Sequence, residues 1–293
     1  MNTPFFSIIT PCFRAGDKLR ETVESVLSQT FSDYEVIVKD AGSEDGSLEK
    51  LPQDGRIRLI QKKDGGIYDG MNQAIAAARG EFLYFLNCGD RLHGDDVLEK
   101  TAGRIQAVLG RQQENEKTSA KGMTRKADLP DGGNGESGGW IFYGDVLEEK
   151  TGQRVAAKPQ MTHFAMYRNL PCHQACFYSR NLFETRAFDL QYRVRADYEH
   201  FLWCVIRHGA AAVPMDEIVA DYEGGGFSET KENRQVSEQE HRRIAEQYFS
   251  KQEVRRFRAA MILSLQPLRE KLAASPKTAA LYDRVKNRIY HRQ

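Results

Sequence analysis

No run of apolar residues in the 293-residue chain approaches the roughly 20 that a membrane-spanning helix requires. The opening MNTPFFSIITPCF has neither the charged n-region nor the apolar h-region of a secretory signal. Together these absences predict a protein that stays in the cytoplasm. An excess of one charge is missing too: 42 Lys and Arg stand against 41 Asp and Glu, a net charge of +1, so electrostatics gives no reason to expect nucleic acid as a partner. Cysteines are few and odd in number, five in all, which suits reduced thiols rather than a disulfide framework. Cys172, His173 and Cys176 resemble metal ligands in spacing. A closed zinc site needs four such groups, and no second paired cluster is visible, so structural zinc is not expected.

What the chain does have is enough apolar content, 40%, for a sizeable core. Over the first 109 residues short apolar runs at 5–10, 35–39, 57–60 and 81–86 alternate with helical patterns. That alternation is the signature of a mostly parallel sheet flanked by helices, a doubly wound α/β arrangement. Leu19, Val23, Val26 and Leu27 recur at helical spacing with Asp17 as N-cap, and Leu98, Ala102, Ile105 and Leu109 repeat the pattern. Residues 111–139 break it: five basic and five acidic residues and six glycines leave almost nothing to bury, which predicts a disordered insertion. Ordered sequence resumes with a strand at 140–145, and a helix is expected over 197–208, ended by Gly209. The last segment, 251–293, carries eleven Lys or Arg against three acids, interleaved with apolar residues. Basic helices of this kind suit either an anionic membrane surface or a solvated face.

In doubly wound sheets ligands collect at the carboxyl ends of the strands, and the chain concentrates acids and glycines there. Asp40 opens DAGSEDGS, where the glycines permit a tight turn; it suits a ribose or base contact and equally an ordinary turn cap. Asp64 and Asp69 lie in DGGIYDGMN, just before an Ala-rich helix expected from Tyr68 with Ile67, Met71, Ile75 and Ala78 on its buried face. Asp69 also fits a first-turn carboxylate favoured by the helix dipole. Asn87-Cys88-Gly89-Asp90 is the sharpest signal: one carboxylate at a strand end, with a diphosphate and waters, is enough to hold a hard divalent cation.

The series ITPCF, KDAGSEDGS, KDGGIYDGMNQAI, GEFLYFLNCGD and RADYEHFLWCVIR resembles inverting glycosyltransferase family 2 of the GT-A fold, especially bacterial members that build polysaccharides on lipid carriers. The resemblance covers residues 4–109 closely and 140–228 more loosely. It implies a Rossmann-like GT-A catalytic domain over 1–228, with a nucleotide-sugar half at 1–109 and an acceptor half at 140–228, followed by a helical basic extension at 229–293. It further implies that Asp40 contacts the nucleotide base, that Asp64 lies near the nucleotide, and that Asp90 is the ligand of Mn2+ or Mg2+. Asn87 stands where many members carry an acid.

Pro11, Asp40, Asp64, Asp69, Asn87, Cys88 and Gly89 are thus the candidate nucleotide-sugar contacts. Inverting transfer needs a base for the acceptor hydroxyl, and Asp197 matches the family's final acid, with Glu199 as fallback and His173 as a weaker acceptor-side candidate. The expected activity is transfer of a hexosyl or N-acetylhexosaminyl group from a UDP-sugar to a saccharide or lipid-linked acceptor in surface polysaccharide synthesis, on the cytoplasmic face of the inner membrane. Two other readings compete. A sugar-phosphate nucleotidyltransferase would need a glycine-rich basic loop, of which residues 10–16 are a poor version; a noncatalytic assembly protein would not need Asp40, Asp64, Asp90 and Asp197 together.

Overall fold

The computed structural model describes residues 3–119, 138–224 and 230–263. It divides into two compact units, residues 1–242 and 243–293. The larger begins with four strands and two helices: β1 (Phe6–Cys12), α1 (Asp17–Leu27), β2 (Tyr34–Asp40), β3 (Ile57–Gln61), α2 (Ile67–Ile75) and β4 (Phe82–Phe85), with a single 3-10 turn, Leu48–Lys50, between β2 and β3. These strands pair in parallel in the order β3-β2-β1-β4, in the register Ile8↔Val36 and Ile8↔Tyr84. The runs in β1, β2 and β4 are buried on both faces, so their side chains alternate between two helical layers, while β3, at the edge, is partly exposed. Phe6, Ile8, Val36, Val38 and Tyr84 join one cluster with Leu19, Val23 and Val26 of α1. Ile9, Ile37, Leu83 and Phe85 are equally buried but outside that cluster, and α2 packs against β1 and β2.

The sheet then changes character. After β5 (Arg91–Leu92) and α3 (Val97–Ser119) come β6 (Trp140–Glu148), β7 (Gln153–Val155), α4 (His163–Arg168), β8 (Cys176–Ser179), α5 (Asn181–Thr185), α6 (Ala196–Leu202) and β9 (Ala211–Tyr222). The order continues β4-β8-β6-β9-β5, and β8 is antiparallel to both β4 and β6. The sheet is therefore mixed: the parallel half is the one the apolar runs predict. This reversal positions the site, because an antiparallel β8 starts where β4 ends and sets residues 172–175 beside 87–90. β5 pairs antiparallel with the end of β9, which brings Glu223 to the same corner.

Several local expectations are corrected. The cap position of α1 is Gly16, with φ of 55°, and Asp17 lies inside the first turn and makes no capping hydrogen bond. α2 buries Tyr68, Gly70, Met71 and Ala74 rather than Ile67 and Ile75, and Ala78 lies beyond its end. Residues 111–119, expected to be disordered, extend α3 to Ser119; the remainder of that expectation, 120–137, falls outside the described residues. The helix expected over 197–208 is α6 followed by a turn of π-helix, Trp203–Arg207. α7 (Lys231–Tyr248) and α8 (Lys251–Leu263) close the described chain, and of the basic segment residues 264–293 lie outside it. Among the described residues no helix is long and apolar enough to cross a membrane.

At the amino end of the parallel strands, Glu35 is buried and accepts hydrogen bonds from Ser7 Oγ at 2.7 Å and from the Arg79 and Arg58 guanidinia at 2.8 Å. Burial pushes its carboxyl up, but the bonds from Arg58, Ser7 and Arg79 outweigh that and hold it below its usual value. Gly80 is required here, since a Cβ would sit 2.4 Å from the Ser7 nitrogen. This network locks the end of the sheet opposite to the acids discussed next.

Candidate active site

Two cavities open along the carboxyl edge. The first, about 680 Å3, is walled by the ends of β1 and β2 and the start of α2, including Pro11, Arg14, Lys39, Asp64, Gly66 and Gly70. Lys39, which the sequence offered only as a neighbour of Asp40, is wholly buried in the middle of this wall. Its ammonium donates to Asp64 Oδ2 at 2.8 Å and to the carbonyls of Lys62 and Asp40 at 2.6 and 3.1 Å. All three ammonium protons are used, so a cation that would be costly to bury unpaired instead fixes Asp64 at the cleft. The other Asp64 oxygen accepts the Gly66 amide at 3.2 Å.

Asp40 is fully buried and its carboxylate accepts from the Gly42 and Ser43 amides and the Ser43 hydroxyl at 2.6–3.2 Å. Its geometry is that of a turn cap that shapes the loop, while Ala41 and Gly42 line the cleft. Asp69 accepts the Gly65 amide at 2.8 Å and a bond from Gln73, closing the first turn of α2. Neither acid lies on the cleft wall.

The corner after β4 is tightly built. The Cys88 thiol donates to the Pro11 carbonyl at 3.3 Å, and hydrogen bonding to Cys12, together with burial, pushes its pKa up, so it stays a neutral strut. Gly89 adopts φ of 100° and donates to Thr22 Oγ1; a Cβ there would meet Glu223 Oε2 at 2.9 Å. Asp90 is 7% exposed. Gln174 Nε2 donates to its Oδ2 at 2.9 Å, and the Glu223 amide to its Oδ1 at 3.4 Å. Burial first of all, then the nearby Glu223 and Glu149 carboxylates, push the Asp90 carboxyl up to about 6, against the lowering effect of those two bonds. The Asn87 side-chain oxygen is buried without a hydrogen-bond partner. Among the described residues no group of three or more His, Cys, Asp and Glu converges as a metal cage. An oxygen site of one carboxylate and one amide is the alternative the corner offers.

The second cavity, about 480 Å3, is lined by Asp197, His173, Gln174, Arg168, Arg195 and Arg234 among others. Asp197 stands in the first turn of α6, where the single proton of the Tyr68 hydroxyl is shared between Asp197 Oδ1 at 2.7 Å and the Val194 carbonyl at 2.8 Å. The turn that leads into α6 is gripped by Glu240 of α7, whose carboxylate accepts the amides of Arg193, Val194 and Arg195 at 2.7, 3.0 and 2.9 Å. Glu199 does not line the cavity: it is buried and bonded to Arg186 at 2.9 Å. His173 stacks on Phe85 with ring centroids 4.9 Å apart, and burial pushes its pKa down. Tyr68, Lys39 and Glu240 are the site residues that sequence reasoning left without a role, whereas His173-Gln174 resembles a family segment near the acceptor side and the metal. The contacts that place them in the site, Lys39 with Asp64, Tyr68 with Asp197 and Glu240 with the amides of 193–195, span 25 to 129 positions, so no local spacing announces them.

Comparison with known proteins matches residues 7–168 to the model of glycosyl transferase family 2. A PGL/p-HBAD biosynthesis glycosyltransferase of Mycobacterium bovis (strain BCG / Pasteur 1173P2) is 31% identical over 237 residues, 78% of this chain and 81% of the relative. Among solved structures, a mannosyltransferase from Pyrobaculum calidifontis with GDP-Man and Mn2+ aligns with TM-score 0.53 at 14% identity, covering 98% of this chain and 80% of that one. A glucosyl-3-phosphoglycerate synthase from Mycobacterium tuberculosis with Mn2+ and UDP-glucose gives 0.51 at 15%, over 83% and 80%. S. aureus TarS 1–349 with UDP-GlcNAc gives 0.52 at 17%, and this chain covers 79% of itself but only 64% of that chain's length. The mixed α/β fold, a sheet flanked by helices, matches these GT-A structures. By the family match and by the mycobacterial relative, the chain belongs to glycosyl transferase family 2, and it is a glycosyltransferase that draws its sugar from a nucleotide-sugar donor.

Proposed function

We propose that the enzyme moves a sugar from a nucleoside diphosphate, UDP in the first instance, to a hydroxyl of a saccharide or lipid-linked saccharide with inversion, in the synthesis of surface polysaccharide. The observation that carries this reading is the placement of two carboxylates around one short segment: Gln174 bonds Asp90, while His173 and Gln174 share a cavity wall with Asp197. One acid is thus enclosed and the other opens to a second cavity.

In this reading the nucleotide lies in the cleft beside Pro11, Asp64 and Gly66, with Asp40 holding the 41–43 loop in shape and Asp69 the 65–66 turn. Asp90 and the unpartnered Asn87 oxygen fit a hard divalent cation, Mn2+ or Mg2+, since a carboxylate pushed up to about 6 by burial gains from a positive neighbour. When bound, such an ion offsets charge on the departing diphosphate. The neighbours solved with UDP-glucose or GDP-Man and Mn2+ support a nucleotide sugar and a divalent ion. Asp197 takes the proton of the acceptor hydroxyl as that oxygen attacks the anomeric carbon opposite the diphosphate. Tyr68 holds one Asp197 oxygen in place and leaves the other for the acceptor. The basic segment 251–293, with exposed Ile262 and Leu263 on α8, is the part proposed to touch an anionic membrane surface.

The test is a thermal-shift screen of nucleoside diphosphates with and without Mn2+ or Mg2+, repeated on Asp90→Ala and Asp197→Asn. Asp90→Ala should lose the metal-dependent shift. Asp197→Asn should keep it and lose transfer, by about a hundredfold or more. Pyrophosphate released from a nucleoside triphosphate and a sugar 1-phosphate would replace this reading with nucleotidyl transfer, and normal polymer synthesis in cells carrying both substitutions would replace it with a noncatalytic role.

A further inference from the structure

The cavity beside Asp197 carries more positive charge than its supposed neutral sugar acceptor would need. Arg168, Arg195 and Arg234 line it, and Asp197 is the one carboxylate among the lining residues. None of the three arginines pairs with a carboxylate among the described residues. Arg195 Nε is held by the carbonyl and hydroxyl of Ser237 at 3.0 and 2.8 Å, and its guanidinium lies 5.5 Å from the centre of the Tyr198 ring. Arg168 and Arg234 are exposed and make no side-chain hydrogen bond within the described chain. They come from α4 and α7, and Arg195 from the turn before α6, so three separate stretches of chain deliver cations to one opening. By contrast, Lys39 and Arg186 are each paired with a carboxylate, Lys39 with Asp64 and Arg186 with Glu199.

His173 adds an independent observation. It lines the same cavity, and both of its ring nitrogens are buried without a hydrogen-bond partner. A neutral imidazole carries a proton on one nitrogen whichever tautomer it adopts, so the wall holds an unspent donor as well as an unspent acceptor. Buried polar atoms of this kind call for a partner. Planar guanidinium forks match phosphate oxygens two at a time, with shorter and stronger bonds than neutral pairs give.

We propose that this cavity recognises an acidic group of the acceptor, a phosphate monoester or diphosphate, through Arg168, Arg195 and Arg234. The inference rests on the glycosyl-transfer reading and narrows its acceptor to a phosphorylated one. The phosphate stands off from the attacking hydroxyl and takes no part in the bond changes; it orients the acceptor against Asp197. Its source is either a lipid phosphate or a soluble sugar phosphate, and these are separated by the choice of probe.

The experiment uses the full chain with saturating UDP and Mg2+, so that the donor cleft is filled, and titrates glucose 1-phosphate, decyl phosphate and the neutral control methyl glucoside by calorimetry. Both phosphates or either one should bind and the neutral glycoside should not; preference for decyl phosphate assigns the lipid source, and preference for glucose 1-phosphate the soluble one. Arg168→Gln/Arg234→Gln, at two exposed positions that the fold tolerates, should weaken the phosphate by about tenfold or more per arginine while UDP binding is unchanged. Asp197→Asn removes the one lining carboxylate and should tighten phosphate binding. Absence of phosphate binding to the wild type, displacement of the phosphate by UDP, equal binding by the double variant, or weaker or unchanged binding by Asp197→Asn would each overturn the proposal. Failure of UDP to bind at all would instead overturn the glycosyl-transfer reading, because the two ligands are measured separately.

Discussion

Asp90→Asn should make the unliganded enzyme more stable at neutral pH and less able to use its donor, and the size of both effects follows from the burial of one carboxylate. The folded-state carboxyl is pushed from its ordinary 3.8 up to about 6, with burial the largest cause. That gap corresponds to about 3 kcal/mol of disfavoured charge at 1.36 kcal/mol per pH unit. The sign runs as it does for any raised carboxyl: the folded chain holds the proton more tightly than the unfolded chain. The cost is therefore absent below pH 3.8, grows between 3.8 and about 6, and is complete above that. Asparagine never ionises, so it escapes the cost at every pH. It keeps an oxygen for Gln174 but accepts more weakly, which gives back about 1 kcal/mol. The net gain at pH 8 is about 2 kcal/mol, and near pH 4 it vanishes or reverses. With a urea slope of about 2 kcal/mol/M this is a midpoint shift of about 1 M. Trp140 and Trp203 both lie in the larger unit and report its unfolding by fluorescence. Adding nucleotide and Mn2+ at a hundred times Kd should stabilise the wild type by about 2.7 kcal/mol and leave the variant where it was. A midpoint difference independent of pH, or equal stabilisation of both proteins by nucleotide with metal, would refute the reasoning.

Other substitutions probe the positioning contacts. Lys39→Met leaves the Asp64 carboxylate at the cleft without its buried partner and should cost about 3–5 kcal/mol by chemical denaturation; Lys39→Met/Asp64→Asn should recover much of that stability but not donor affinity. Tyr68→Phe removes the hydroxyl that holds Asp197 and should lower kcat with the donor KM unchanged, at a stability cost of about 1–2 kcal/mol. Glu240→Ala frees three backbone amides before α6, and both stability, by about 2–4 kcal/mol, and kcat should fall, whereas Glu240→Gln should restore part of each. In all three, an unchanged kcat with wild-type stability would show that the contact carries no weight.

The parallel half of the sheet was legible through β1, β2 and β4, which are buried on both faces: a run as short and as apolar as Val36-Ile37-Val38 has its physical home in a sheet covered by helices. The acids at the strand ends were legible for the same reason, since the strands end where the apolar runs end. The antiparallel half was not, because Cys176-Phe177-Tyr178 gives no hint of its pairing direction. It is that direction which sets Gln174 against Asp90. Nor did local sequence separate Asp40 from Asp64. Both follow or flank strand residues beside glycines, yet one spends its oxygens on its own turn while the other, fixed by Lys39, faces the cleft. The difference lies in which neighbour donates, and that is decided by contacts across the sheet.

The shifted face of α2 joins the two halves of the site. Hydrophobicity alone favours burying Ile67 and Ile75, and the helix instead buries Tyr68, Met71 and Ala74. A rotation that buried Ile67 would carry Tyr68 away from Asp197 and turn Gly70 away from Asp64, where a Cβ at position 70 would already lie 2.9 Å from a carboxylate oxygen. The rotation that exists leaves Ile67 on the wall of the first cavity and sends the Tyr68 hydroxyl to Asp197 on the wall of the second. Adjacent residues on one short helix therefore touch the first cavity, the proposed donor cleft, and hold Asp197 at the second. A stripe off by one position from the most apolar choice is what such a helix must show when the fold is selected for the distance between two cavities as well as for burial.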